Sequence, residues 1–85
     1  MDLIGRLVIS TAGHDSGRVL CVLAHEGEYL LVADGRKRKV QKPKRKKLKH
    51  VKLINVAAYS GSVISNKAIH AFIRDADSLV NTANN

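Results

Sequence analysis

Aromatic side chains are nearly missing: Tyr29, Tyr59 and Phe72 are the whole complement, and there is no tryptophan. Surfaces that bind single-stranded nucleic acid stack successive bases on aromatic rings, and proline-recognition grooves are lined by them. Both uses are disfavoured here. Cysteine is reduced to Cys21, so no internal disulfide forms, whereas a small secreted domain normally needs several. Cys21 sits in an apolar run and has no metal-ligand spacing to His14 or His25, which makes it a small core residue. No metal and no cofactor are expected. No apolar run reaches the roughly 18 to 20 residues that span a bilayer. Met1 to Arg6 has neither a basic leader nor a long apolar stretch. The expected setting is the cytoplasm, with no membrane partner.

Catalytic patterns are also lacking. Gly13-His14-Asp15-Ser16-Gly17 does not carry the Gly-Lys-Ser/Thr ending of a phosphate-cradling loop. A nucleophile, base and orienting acid must converge from separated positions, and His14, Asp15 and Ser16 are merely adjacent. With 85 residues the chain makes one domain. It buries only about 60% of its unfolded surface, which leaves a thin core and no deep cleft for a small-molecule substrate. The expectation is a protein that is not an enzyme.

What the chain does have is positive charge, net +8. Arg36, Lys37, Arg38, Lys39, Lys42, Lys44, Arg45, Lys46, Lys47, Lys49 and Lys52 place eleven cations in seventeen residues with no acid among them. Elsewhere four basic residues face seven acidic ones. A mildly acidic globule carrying one basic band is the footprint of a polyanion binder. Lysine outnumbers arginine eight to three in the band, which favours contact with phosphate backbone over readout of bases. No aromatic interleaves with these cations, so structured or double-stranded RNA, read by shape, fits better than an extended single strand.

The pattern before the band is β. Leu7 to Thr11 is short and β-branched, and Gly13 to Gly17 is a turn by composition. Arg18 to Ala24 is almost continuously apolar, as in a central strand covered on both sides. After the turn at His25 to Gly27, with Glu26 and Glu28 as solvated flanks, Glu28 to Ala33 forms a third strand. Asp34-Gly35 then predicts a two-residue hairpin and a fourth, edge strand over Arg36 to Val40, defended by its lysines and ended by Pro43. Val51 to Val56 is a fifth. Five short strands with frequent turns suggest a small barrel. Beyond it, Ile69, Phe72, Ile73, Ala76, Leu79 and Val80 form one stripe of an α-helix. Ser65 or Asn66 caps its start, Arg74, Asp75 and Asp77 lie off the stripe, His70 lies on a flank, and Asn81 to Asn85 fray. The fold class is all-β with a C-terminal helix: residues 1–60 form the barrel with the basic segment 36–52, and 61–85 the helix and tail.

The run from Leu7 to Ala33 resembles the KOW motif, an apolar strand, a polar loop with a required glycine, here Gly17, and a second apolar strand. Three further stretches, Ser10 to Gly17, Val32 to Gly35 and Pro43 to His50, resemble a narrower group. These are small KOW proteins related to large-subunit ribosomal proteins of archaeal and eukaryotic type, including free-standing bacterial RNA-binding versions. The resemblance spans about residues 6 to 52. It implies an SH3-like five-stranded barrel, no catalysis, and RNA as partner, with ribosomal RNA or the large ribosomal subunit foremost. It maps an RNA-contacting loop onto Gly13 to Arg18, although His14, Asp15 and Ser16 stand where many relatives are more basic.

The expected RNA-binding residues are therefore His14, Ser16, Gly17, Arg18, Arg36, Lys37, Arg38, Lys39, Lys42, Lys44, Arg45, Lys46, Lys47, Lys49 and His50. Within the band, Arg36 to Lys39 are expected to be fixed by strand pairing, and Lys42 to Lys49 to be mobile until RNA orders them. DNA binding and a protein-interaction module of SH3-like type are the alternatives.

Overall fold

The computed structural model describes residues 2–83. Five strands form a single antiparallel sheet: β1 (Leu7–Ser10), β2 (Val19–Glu26), β3 (Tyr29–Ala33), β4 (Lys44–Lys47) and β5 (Val51–Leu53), in the spatial order β4-β3-β2-β1-β5. One helix, α1 (Asn66–Ala83), follows. The edge strands β4 and β5 are consecutive in sequence, joined by a three-residue 3-10 turn, Leu48–His50. A flat five-strand sheet would hold its edges about 19 Å apart, whereas four Cα steps reach about 14 Å at full extension. The sheet must therefore curl strongly. It nevertheless stays open, because the strand order leaves β4 and β5 without backbone pairing to each other.

Side chains alternate across each strand, so the curled sheet buries apolar groups on both faces. Val8, Leu20, Val22, Leu30 and Val32 pack inside the curl. Leu7 and Cys21 point the other way, where Ile69 and Ala76 of α1 cover them. The continuous apolar character of β2 has this cause: it lies between β1 and β3 and is covered on both sides. The Ser65 hydroxyl caps α1 by accepting the Ala68 N–H at 3.1 Å. Phe72 and Ile73 continue the stripe against the sheet, and Phe72 meets Tyr59 with ring centroids 5.3 Å apart. The helix extends through Ala83, so it includes Asn81, Thr82 and Ala83 of the segment assigned to the tail. Asn84 and Asn85 lie outside the described residues.

The largest departure from the sequence pattern is the fourth strand. Arg36 to Val40 is not a strand, and Asp34-Gly35 is not a two-residue hairpin turn. The Asp34 carboxylate instead accepts the N–H groups of Arg36 and Arg38, both at 2.8 Å, which folds the chain into a broad loop through side-chain bonding to backbone. Val40 turns into the core beneath α1, and its N–H donates to Asn66 Oδ1 at 2.8 Å. Gly35 holds φ +79°, and a β-carbon there would overlap the Asn66 carbonyl oxygen, so the loop is pressed against the first turn of α1. Pro43 precedes a strand rather than ending one. The fourth strand is Lys44–Lys47, paired to β3 with Leu30 opposite Lys46 and Leu31 opposite Arg45. Lys44–Lys47, inside the segment expected to be mobile, is therefore a strand with backbone pairing to β3. β5 is also shorter than expected: Ile54 N–H still donates to the Leu7 carbonyl at 2.9 Å, but Ile54 and Val56 lie beyond the strand and pack on the helix side.

Candidate nucleic-acid interface

Alternation along β4 sorts its four cations into two roles. Lys44 and Lys46 turn inward, while Arg45 and Lys47 are exposed. Lys46 is only 6% exposed. Its ammonium donates to Asp15 Oδ1 at 2.7 Å and to the Ala12 carbonyl. Lys44 reaches Asp15 Oδ2 at 3.2 Å, and the Ser10 hydroxyl donates to Oδ1 at 2.9 Å. Burial alone would raise the Asp15 pKa, but the hydrogen bonds from Lys46, Ser10 and Lys44 outweigh it and hold the carboxyl well below the usual carboxylate range. The Asp15 carboxylate ties the loop between β1 and β2 to β4, across the gap that backbone pairing leaves open. Lys46, and in part Lys44, are engaged within the fold and are not free to meet phosphate.

The same loop is tightly made. Gly17 N–H donates to Ser10 O at 2.8 Å and Ser10 N–H to Arg18 O at 3.0 Å. Gly17 has φ +88° and stands in open space, so its backbone shape, rather than any close contact, calls for glycine. His14 and Ser16 are exposed and Arg18 is half-buried. His14, Arg18, Lys37, Arg38 and Lys44 line a cleft of about 180 Å³ with Asp15 and Asp34. A second cleft of about 600 Å³ adjoins it, bordered by Arg18, Arg36, Lys37, His70 and Arg74 with Asp34 and Asp77. Arg18 and Lys37 belong to both. Across the two clefts six cations face three carboxylates. Two of those carboxylates are already engaged, Asp15 by lysines and Asp34 by backbone N–H groups.

No protein-family model matches this sequence, and no curated protein matches it.

The remaining cations of the band are spread around the fold. Lys39, Lys42, Lys47, Lys49 and Lys52 are exposed. His50 is half-buried, and its carbonyl accepts the Thr11 N–H at 2.9 Å. Arg45 crosses diagonally on the outer face of the sheet to cover the Tyr29 ring, its guanidinium carbon 3.8 Å from the ring centroid. His25 bonds across its own turn, with Nε2 2.9 Å from the Gly27 carbonyl.

Three residues of this surface escaped the sequence reading. Tyr29 lies sixteen positions from Arg45, and only the β3–β4 register joins them. His70 and Arg74 stand one helical turn apart on one flank of α1, a spacing visible in the sequence. What no pattern gave was the loop 34–38 lying against that flank. Among the described residues no group of three or more His, Cys, Asp or Glu side chains could hold a metal ion, and no helix is long and apolar enough to cross a membrane.

Proposed function

We propose that this protein is a non-catalytic RNA-binding protein of KOW type, engaging structured RNA, ribosomal RNA foremost, in the cytoplasm. The observation that carries the reading is convergence. The loop Gly13 to Arg18 and the loop Arg36 to Arg38, far apart in sequence, border one pair of joined clefts dominated by cations. Phosphate groups drawn to such a track displace condensed counterions, which supplies affinity without base readout. Arg18, Arg36, Lys37 and Arg38 are the principal contacts, with His14, His70 and Arg74 at the margins. An SH3-like barrel is the fold that best accounts for the strong curl, the edge strands joined by a 3-10 turn, and the Asp15–Lys46 bridge across the opening. A non-catalytic role is supported by Asp15, whose hydrogen bonds and ion pairs go to Lys44, Lys46 and Ser10 rather than to His14.

The test is binding of a structured RNA as salt rises. If about six phosphates are contacted, affinity falls about a thousandfold between 50 and 200 mM salt. The paired change Arg18→Ala and Lys37→Ala should weaken binding and flatten that slope by about two charges. A nearly flat salt dependence in the unmodified protein refutes the reading. Equal competition by duplex DNA of the same length would redirect it to DNA, and a sucrose gradient of cell extract shows whether the protein travels with the large ribosomal subunit.

A further inference from the structure

The basic band is not uniform in chemistry once its neighbours in space are known. Arg45 is exposed on the outer face of β4, and its guanidinium lies 3.8 Å from the centroid of the Tyr29 ring. That separation is van der Waals contact, and the Arg45 residue as a whole stays exposed, so the cation covers the ring without being buried by the fold. Lys47 occupies the same sheet face, directly across from Tyr29 in the β3–β4 register. Just beyond, Glu28, Lys47, Leu48 and Lys49 line a hollow of about 350 Å³.

We infer that the Tyr29–Arg45 stack is a docking position for one unpaired nucleobase, which lies on the outer face of the guanidinium with its phosphates on Lys47 and Lys49. The inference rests on the RNA-binding reading and adds to it a ligand class that the cleft alone does not imply.

Three physical arguments support it. A guanidinium is planar, delocalised and weakly hydrated, so it stacks on π faces in a way an ammonium cannot, and unpaired RNA bases are taken up on arginine planes as well as on aromatic rings. A free arginine loses considerable rotamer entropy when a ligand fixes it, but Tyr29 already holds this one, which lowers the cost of binding. Finally, β4 is an edge strand whose two faces carry different groups. Lys44 turns inward and lines the smaller cleft, while Arg45 turns outward. An RNA whose backbone occupies the clefts therefore needs only to pass over this edge for a bulged or looped nucleotide to reach the stack. The surface then reads shape and backbone on one side of β4 and a single splayed base on the other.

The experiment compares a stem-loop RNA, carrying a fluorescent purine analogue in its loop, with a blunt duplex of equal phosphate number. The unmodified protein should bind the stem-loop about tenfold more tightly, within the range that stacking of one base supplies, and change the analogue's fluorescence on binding. Arg45→Lys keeps the charge and removes the plane; Tyr29→Leu removes the support. Each should abolish the stem-loop preference and the fluorescence change while leaving duplex affinity nearly intact, and Tyr29→Phe should retain both. Should Tyr29→Leu fail to fold, Arg45→Lys decides alone. Equal binding of the two RNAs by the unmodified protein, or an undiminished preference in Arg45→Lys, overturns the inference and leaves the RNA-binding reading standing. Binding of neither RNA overturns that reading, and the inference with it.

Discussion

Replacing Lys46 by alanine should be among the most damaging single changes in the basic band, although nothing in its sequence context sets it apart. The Lys46 side chain is 6% exposed and that of Asp15 14%, so the pair is largely withdrawn from water. Removing one partner of a buried pair costs about 3–5 kcal/mol, because the other charge is left behind. Here Asp15 keeps Lys44 and Ser10, which reduces the expected loss to about 2–3 kcal/mol. A chain of this length is stable by about 4–13 kcal/mol in total, and each kcal/mol moves the melting temperature of so small a domain by about 4–8 °C. Lys46→Ala should therefore melt about 10–20 °C lower, and in urea its midpoint should fall with the slope unchanged. Arg45→Ala, one residue away and exposed, should cost under about 1 kcal/mol. Pairing Asp15→Asn with Lys46→Met should recover part of the loss, since no charge is then left unpaired in the interior. The network also fixes an acid limit. The Asp15 carboxyl titrates lower in the folded chain than in the unfolded one, so in acid the unfolded chain binds more protons. Its contribution is complete above the unfolded value of about 3.9 and drains away as pH falls further, toward the folded value. Circular dichroism of the variants across pH 2 to 7 checks both statements. A Lys46→Ala protein no less stable than Arg45→Ala would refute the account.

Gly17→Ala should cost about 1–2 kcal/mol, the strain of a left-handed backbone in open space, whereas Gly35→Ala should cost at least twice as much, because its β-carbon also overlaps the Asn66 carbonyl; urea melts of the two proteins test the ranking. Asn66→Ala removes the acceptor of the Val40 N–H and should cost about 1–3 kcal/mol, with faster amide exchange at Val40 as its local sign. The Cys21 thiol, buried and pushed up to about 11 by desolvation, should resist a thiol reagent at pH 8 until denaturant unfolds the chain; rapid labelling of the native protein would contradict its placement. Hydrogen exchange on the free protein should show protected amides in Lys44–Lys47 where they pair with β3, and unprotected amides throughout would contradict the ordered strand.

The sequence by itself determined the elements whose burial repeats locally. Short β-branched and continuous apolar runs bounded by turn residues placed β1, β2 and β3, because a strand's burial is written in adjacent residues, and the stripe Ile69, Phe72, Ile73, Ala76 placed α1 for the same reason at helical period. It also determined where the charge lies, since charge density needs no fold to be counted. It could not place the fourth strand. Lys44 to Lys47 carries no apolar alternation, and Asp34-Gly35 offered a stronger local signal that the fold overrides with Asp34 side-chain bonds and the dock against Asn66. Identical-looking lysines are told apart only by tertiary structure, because strand alternation turns Lys46 toward a carboxylate thirty-one residues away and leaves Lys47 in solvent. The same holds for the joined clefts and for the Tyr29–Arg45 stack. Each is made of groups distant in the chain, brought together by register and by the curl of the sheet, and neither register nor curl is legible one residue at a time.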